Sequence, residues 1–122
     1  MPEFYAEHVP SSVSCDFIRG YFETAEWLLN EEIDRAKIRG WSKKAQKTMR
    51  ADCREFMKAN ADLLAEYAEK FSMYRAGMNF FLSREGHGAG FFDDNANDLQ
   101  QAARSWGGAG WAWIDKGWLR LD

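Results

Sequence analysis

Apolar residues recur at a helical interval through the first half of the chain. From Cys15 to about Glu32, Ile18, Phe22, Ala25 and Leu29 stand at i, i+4, i+7 and i+11, and Phe17, Tyr21 and Leu28 widen that face. The spacing predicts a core helix, with Ser14 as its N-cap and Asp16 in its first turn. Gly20 inside it costs roughly 1 kcal/mol against alanine, which implies that another helix crosses closely there. Residues 34–41 carry mixed charge and end in Gly40, a helix stop. Ser42 then caps a second helix to about Ala59, whose apolar line is Ala45, Met49, Cys53 and Phe56. Asn60 breaks the pattern and opens a short third helix through Leu63, Leu64 and Tyr67, ending near Phe71.

Beyond residue 77 the pattern changes. Asn79 to Ser83 is rich in aromatic and β-leaning residues, and alternation puts Phe80 and Leu82 on one face, Phe81 and Ser83 on the other. Gly86, Gly88 and Gly90 follow at alternate positions, then the run to Phe92 returns. These residues predict a hairpin whose turn is formed by the three glycines, at least one of them at positive φ, with Arg84, Glu85 and His87 projecting from its tip. Asn95 or Asn97 then caps a helix through Leu99, Ala102, Ala103 and Trp106, stopped by Gly107-Gly108. A last hairpin pairs residues 111–114 with 118–121 around Asp115-Lys116-Gly117. The expected class is α+β: N-terminal helices packed on a small antiparallel sheet from a β-β-α-β-β C-terminal half. One domain is expected over 1–122, with an extended arm at 1–13, a helical half at 14–71, and the hairpin, helix and hairpin over 77–122.

Charge changes the picture because it lies in blocks. The net charge is −3, but residues 1–34 hold one basic and eight acidic groups, 35–58 nine and two, and 59–122 six and nine. Lys43, Lys44, Lys47, Arg50, Arg54 and Lys58 give the second helix a basic face roughly 24 Å long at 1.5 Å per residue. Either the acidic block lies beside the basic one inside the fold, or the basic block faces an external anion.

Little of the remaining chemistry is distinctive. Cys15 and Cys53 sit in apolar helical patterns and read as small buried hydrophobes. His8 and His87 have no cysteine at zinc-ligand spacing, so neither a metal nor a cofactor is expected. No run is long and apolar enough to span a bilayer, and no leader precedes the domain, so a cytoplasmic protein is expected. His87 between glycines lacks the G-x-S-x-G elbow a hydrolase would need, and the glycines fit no nucleotide cradle, so catalysis is not expected. Were there catalysis, His87 oriented by Asp93 or Asp94 would carry it. The plainer role for His87 is to cap the turn.

The string from Phe80 to Asp93, F-F-L-S-R-E-G-H-G-A-G-F-F-D, resembles the signature of a family of small uncharacterised bacteriophage proteins, roughly D-F-W-L-T-R-N-G-H-G-A-G-F-W-D. In that family it similarly follows an M-R-A-D-C-x-x-F helix, here Met49 to Phe56, and precedes an L-x-x-A-A-x-x-x-G helix, here Leu99 to Gly107. Asn79, Phe81, Glu85 and Phe92 depart from it. The resemblance implies a phage accessory protein at work in an infected bacterium. It carries no activity, and points to capture of a host protein, such as a defence or replication factor, through Arg84, Glu85 and His87, with the Lys43–Arg54 face second. The alternative is a nucleic-acid binder using Lys43, Lys44, Lys47, Arg50 and Arg54, with Trp111, Trp113 or Trp118 stacking on bases. Self-association is left open.

Overall fold

The structure, a computed structural model, describes residues 13–29, 40–86, 88–108, 112–115 and 118–121. Among the described residues are five α-helices: α1 (Val13–Leu29), α2 (Lys43–Ala59), α3 (Ala61–Lys70), α4 (Met73–Arg84) and α5 (Asn97–Trp106). A 3-10 turn, Phe91–Asp94, stands between α4 and α5.

The α+β expectation is overturned, because the segment assigned to the first hairpin is α4. Ser72 caps that helix, its Oγ accepting the Arg75 amide at 3.0 Å. The buried residues of α4 are Ala76, Gly77, Asn79, Phe80, Ser83 and Arg84, which is helical spacing and not alternation. Tertiary packing overrides the β-leaning of the Phe-Phe-Leu run. Phe80 stacks on Phe56 of α2 with centroids 4.0 Å apart, and lies 5.4 Å from the ring of Tyr21 and 5.9 Å from that of Phe17. No strand returns along 90–92 either, since Phe91 opens the 3-10 turn. The fold is therefore all-α in its body. Among the described residues, extended structure amounts to a marginal ribbon of strands two to four residues long, β1 (Gly40–Trp41), β2 (Ala112–Asp115) and β3 (Trp118–Leu121), in the order β1-β3-β2. β1 pairs parallel with β3, and β2 antiparallel, Asp115 opposite Trp118.

The remaining helices follow the periodicity closely. α1 buries Phe17, Ile18, Tyr21, Phe22 and Ala25, although it begins at Val13, so Ser14 lies within its first turn instead of capping it. In α2, Ser42 Oγ accepts the Ala45 amide at 3.1 Å, and Ala45, Met49, Cys53 and Phe56 are buried as the apolar line requires. Asn60 separates α2 from α3, its side-chain amide donating back to the Phe56 carbonyl at 3.0 Å.

At Gly20 and Gly77 the main chains of α1 and α4 approach with no side chain between them. A Cβ on Gly20 would collide with the Tyr74 carbonyl, and one on Gly77 with the Phe17 carbonyl. The close crossing expected at Gly20 is present, and its partner is Gly77. Around this contact Phe17, Tyr21, Phe56, Phe80, Phe91 and Trp106 form one aromatic core. Among the described residues no helix is long and apolar enough to cross a membrane.

Candidate functional site

The tip residues do not form the exposed cluster expected of them. Arg84, expected on the surface as a partner contact, is 7% exposed and ties four segments together. Its Nη1 donates to Tyr21 Oη of α1 and to Asp52 Oδ2 of α2, both at 3.0 Å. Its Nε donates to the Gly107 carbonyl at 2.7 Å and Nη2 to that of Gly108 at 3.3 Å, while the guanidinium lies 5.2 Å above the Phe80 ring. A fork with five fixed donors suits such a junction. Burial raises the Tyr21 hydroxyl's pKa well above the ordinary phenol value, so it stays protonated beneath Arg84. Glu85 is exposed, and His87 lies outside the described residues.

Gly86, Gly88 and Gly90 do stand at positive φ, at 66°, 90° and 148°. They shape a helix exit and not a hairpin turn. Gly90 is also pressed against Ser83, whose Oγ donates to Gln100 Oε1 at 2.6 Å and accepts the Phe91 amide at 3.0 Å, fastening α4 to the 3-10 turn and α5.

The two carboxylates considered as partners for His87 are committed elsewhere. Asp93 accepts the Gly90 amide at 3.1 Å. Asp94 takes both arms of Arg75 at 2.7 Å, the Tyr67 hydroxyl at 2.5 Å and Asn79 Nδ2 at 3.1 Å, joining α3, α4 and the 3-10 turn. The Arg75 bonds hold the Asp94 carboxyl below the usual carboxylate range, while burial and Asp94 push the Tyr67 hydroxyl up. A groove of about 210 Å³ opens beside this network, lined by Leu63, Tyr67, Phe71, Asn97 and Asp98 among others. Asp94, one of the groove's lining residues, already accepts four hydrogen bonds from the protein itself. Among the described residues no group of three or more histidine, cysteine, aspartate or glutamate side chains could hold a metal. Cys53 is buried, and burial raises its thiol well above the ordinary value, which leaves it unreactive.

The basic face remains, and α2 presents it as one surface. Lys43, Lys47, Arg50, Arg54 and Lys58 stand at i, i+4, i+7, i+11 and i+15, a stripe about 80° wide at 100° per residue. Lys43, Lys44, Lys47, Arg54 and Lys58 are exposed and Arg50 half-buried. None of the five exposed cations makes an ion pair with another described residue. Two described acids of α1 turn elsewhere: Asp16 pairs with Arg19 at 3.1 Å and Glu23 accepts the Tyr74 hydroxyl. Asp52, on the far side of α2, is neutralised by Arg84, so its charge does not offset the stripe. Of the tryptophans considered as stacking groups, Trp111 and the Trp113 side chain lie outside the described residues, and Trp118 is half-buried on β3.

The chain matches no family model, no curated protein and no solved structure.

Proposed function

We propose that the chain is a non-catalytic binding module whose partner is nucleic acid, held through the basic face of α2. The observation that carries this reading is the stripe itself, five cations one turn apart along about 22 Å of one helix. Such an arrangement opposes the helix that bears it. Like charges at i, i+4 destabilise a helix by about 0.2–0.5 kcal/mol per pair, and Lys43/Lys47, Arg50/Arg54 and Arg54/Lys58 are three such pairs. Lys43 and Lys44 also occupy the first turn, the positive end of the helix dipole, where no acid offsets them. A surface that breaks several local rules at once, with its exposed cations Lys43, Lys47, Arg54 and Lys58 in no ion pair with a described residue, is expected where an external anion completes it.

The burial of Arg84 removes the cation that a protein-binding tip of Arg84, Glu85 and His87 required, and so favours the nucleic-acid reading over capture of a host protein. The net charge of −3 is no obstacle, because a polyanion responds to the local field of the surface that faces it, and residues 35–58 carry nine basic groups against two acidic ones. Fluorescence anisotropy with labelled DNA tests the reading. Log affinity should fall linearly with log salt, with a slope of up to about −4.5 for five phosphate contacts. Lys47→Glu with Arg54→Glu should abolish binding while leaving the circular dichroism spectrum intact. Absence of binding at low salt, or a double variant that binds as well as the parent, would refute it.

A further inference from the structure

The exposed side of α2 is wider than its cationic stripe. Counting 100° per residue from Lys43, the stripe runs from about 340° to 60°, and a second row of exposed residues, Lys44, Thr48, Ala51 and Glu55, runs from about 80° to 140°. Their spacing is again i, i+4, i+7, i+11, so the two rows run side by side. One row is long and uniformly cationic. The other is short in the middle, with a cation at one end and a carboxylate at the other.

Resting on the nucleic-acid reading, we infer that α2 is a recognition helix that lies in the major groove of duplex DNA, its cationic row along one phosphate backbone and Lys44, Thr48, Ala51 and Glu55 against base edges. The major groove, about 12 Å wide, admits a helix of about 10–12 Å diameter. Ala51 and Thr48 at the centre allow the helix axis to approach the bases, and both offer methyl groups to thymine. Lys44 can donate to the O6 and N7 acceptors of guanine.

Glu55 is the residue that distinguishes base reading from simple backbone binding. A carboxylate beside a phosphate-binding row repels the polymer, and Glu55 has no ion-pair partner among the described residues to neutralise it. Against a cytosine N4 amino group the same carboxylate gains a hydrogen bond and turns from a penalty into a selector. From Lys44 to Glu55 the row extends about 16 Å at 1.5 Å per residue, which matches about five base pairs at 3.4 Å. Other nucleic acids fit less well. A-form RNA has a major groove too deep and narrow for a helix, and single strands are held by exposed aromatics, whereas α2 exposes none.

The test is a selection from a randomised DNA duplex library by the full chain, followed by salt titrations on the winning duplex, a scrambled duplex, duplex RNA and single-stranded DNA. A motif of four to five base pairs carrying guanine and cytosine should emerge, and the winner should bind more tightly than the scrambled duplex. Glu55→Gln should relax the preference at one cytosine by roughly five- to a hundredfold and leave the salt slope unchanged. Arg54→Ala should weaken all duplexes alike and make the slope shallower by about one unit. Binding with a steep salt slope but no enriched motif, or a motif unmoved by Glu55→Gln, would overturn base reading and leave phosphate binding standing. Equal affinity for duplex RNA or single strands would overturn the groove assignment. No binding to any of the four would overturn the nucleic-acid reading itself.

Discussion

Lys43→Glu should make the protein more stable and its binding weaker. Lys43 is the first residue of α2, following the Ser42 cap, and stands in the field of unpaired backbone N–H groups. Replacing a cation there by an anion turns a dipole interaction of about 0.3–1 kcal/mol from unfavourable to favourable. It also converts the Lys43/Lys47 repulsion into a Glu/Lys attraction of about 0.2–0.5 kcal/mol, in the better orientation, with the acid N-terminal. Screening at exposed positions in physiological salt trims the sum to about 1 kcal/mol. For a chain of this length that is about 3–5 °C in melting temperature. Thermal melts followed by circular dichroism should show the gain at low ionic strength and its loss near 1 M salt. On the same samples, DNA affinity should fall and the salt slope lose about one unit. If Lys43→Glu lowers the melting temperature, or raises it with no effect on binding, the argument that the stripe sacrifices helix stability for a polyanion is wrong.

Other expectations rest on the core. Arg84→Ala should destabilise the fold by about 3–5 kcal/mol in urea unfolding, because it leaves Asp52, Tyr21 and two carbonyls without their donor; a loss below 1 kcal/mol would return Arg84 to the surface. Gly77→Ala should cost at least about 1–3 kcal/mol despite alanine's better helix propensity, since the added methyl meets the Phe17 carbonyl rather than a movable side chain. Asp94, whose pKa is depressed in the fold, stabilises it above the unfolded value of about 4 and loses that contribution as pH falls through its folded value. The gap in melting temperature between the parent and Asp94→Asn should therefore be widest near neutral pH and shrink under acid. A gap that does not narrow as the pH is lowered from neutral would disprove the linkage. Tyr74, pushed up to about 12 by burial and Glu23, should ionise late when absorbance at 295 nm is followed against pH.

What could be read from the sequence was what neighbouring residues decide. The Ser42 cap, the Ala45-Met49-Cys53-Phe56 line and the break at Asn60 are local features, and they stand where the periodicity puts them. Asn79 to Ser83 misled because five residues are too few to separate a period of 2 from one of 3.6 when most are aromatic or aliphatic. The signal that would have helped is Ser72, a cap preceding the first turn of α4. Arg84 was legible only as a cation after an apolar run. Its partners Tyr21 and Asp52 lie 63 and 32 residues away, so its burial is a property of the assembled helices. The basic stripe was visible at once. That Lys43, Lys47, Arg54 and Lys58 make no ion pair with a described residue needed the packing of the helices, in which Asp16 and Glu23 of α1 have other tasks.

The contact between Gly20 and Gly77 constrains how such a chain can change. Where two helices touch through side chains, a substitution on one can be absorbed by a compensating one on the other, and the interface drifts without ever being lost. At these two points a glycine faces main chain, and a carbonyl cannot be exchanged for a smaller one. A methyl on either helix has no complementary change opposite it, so no sequence of single tolerated steps leads away from the pair. The two glycines set the distance between α1 and α4 as a fixed gauge, and the bulk of Phe17, Tyr21 and Phe80 is matched to that distance. Variation in this protein is thereby directed to its outer surfaces, the exposed face of α2 among them, where what the molecule binds can shift while its frame does not.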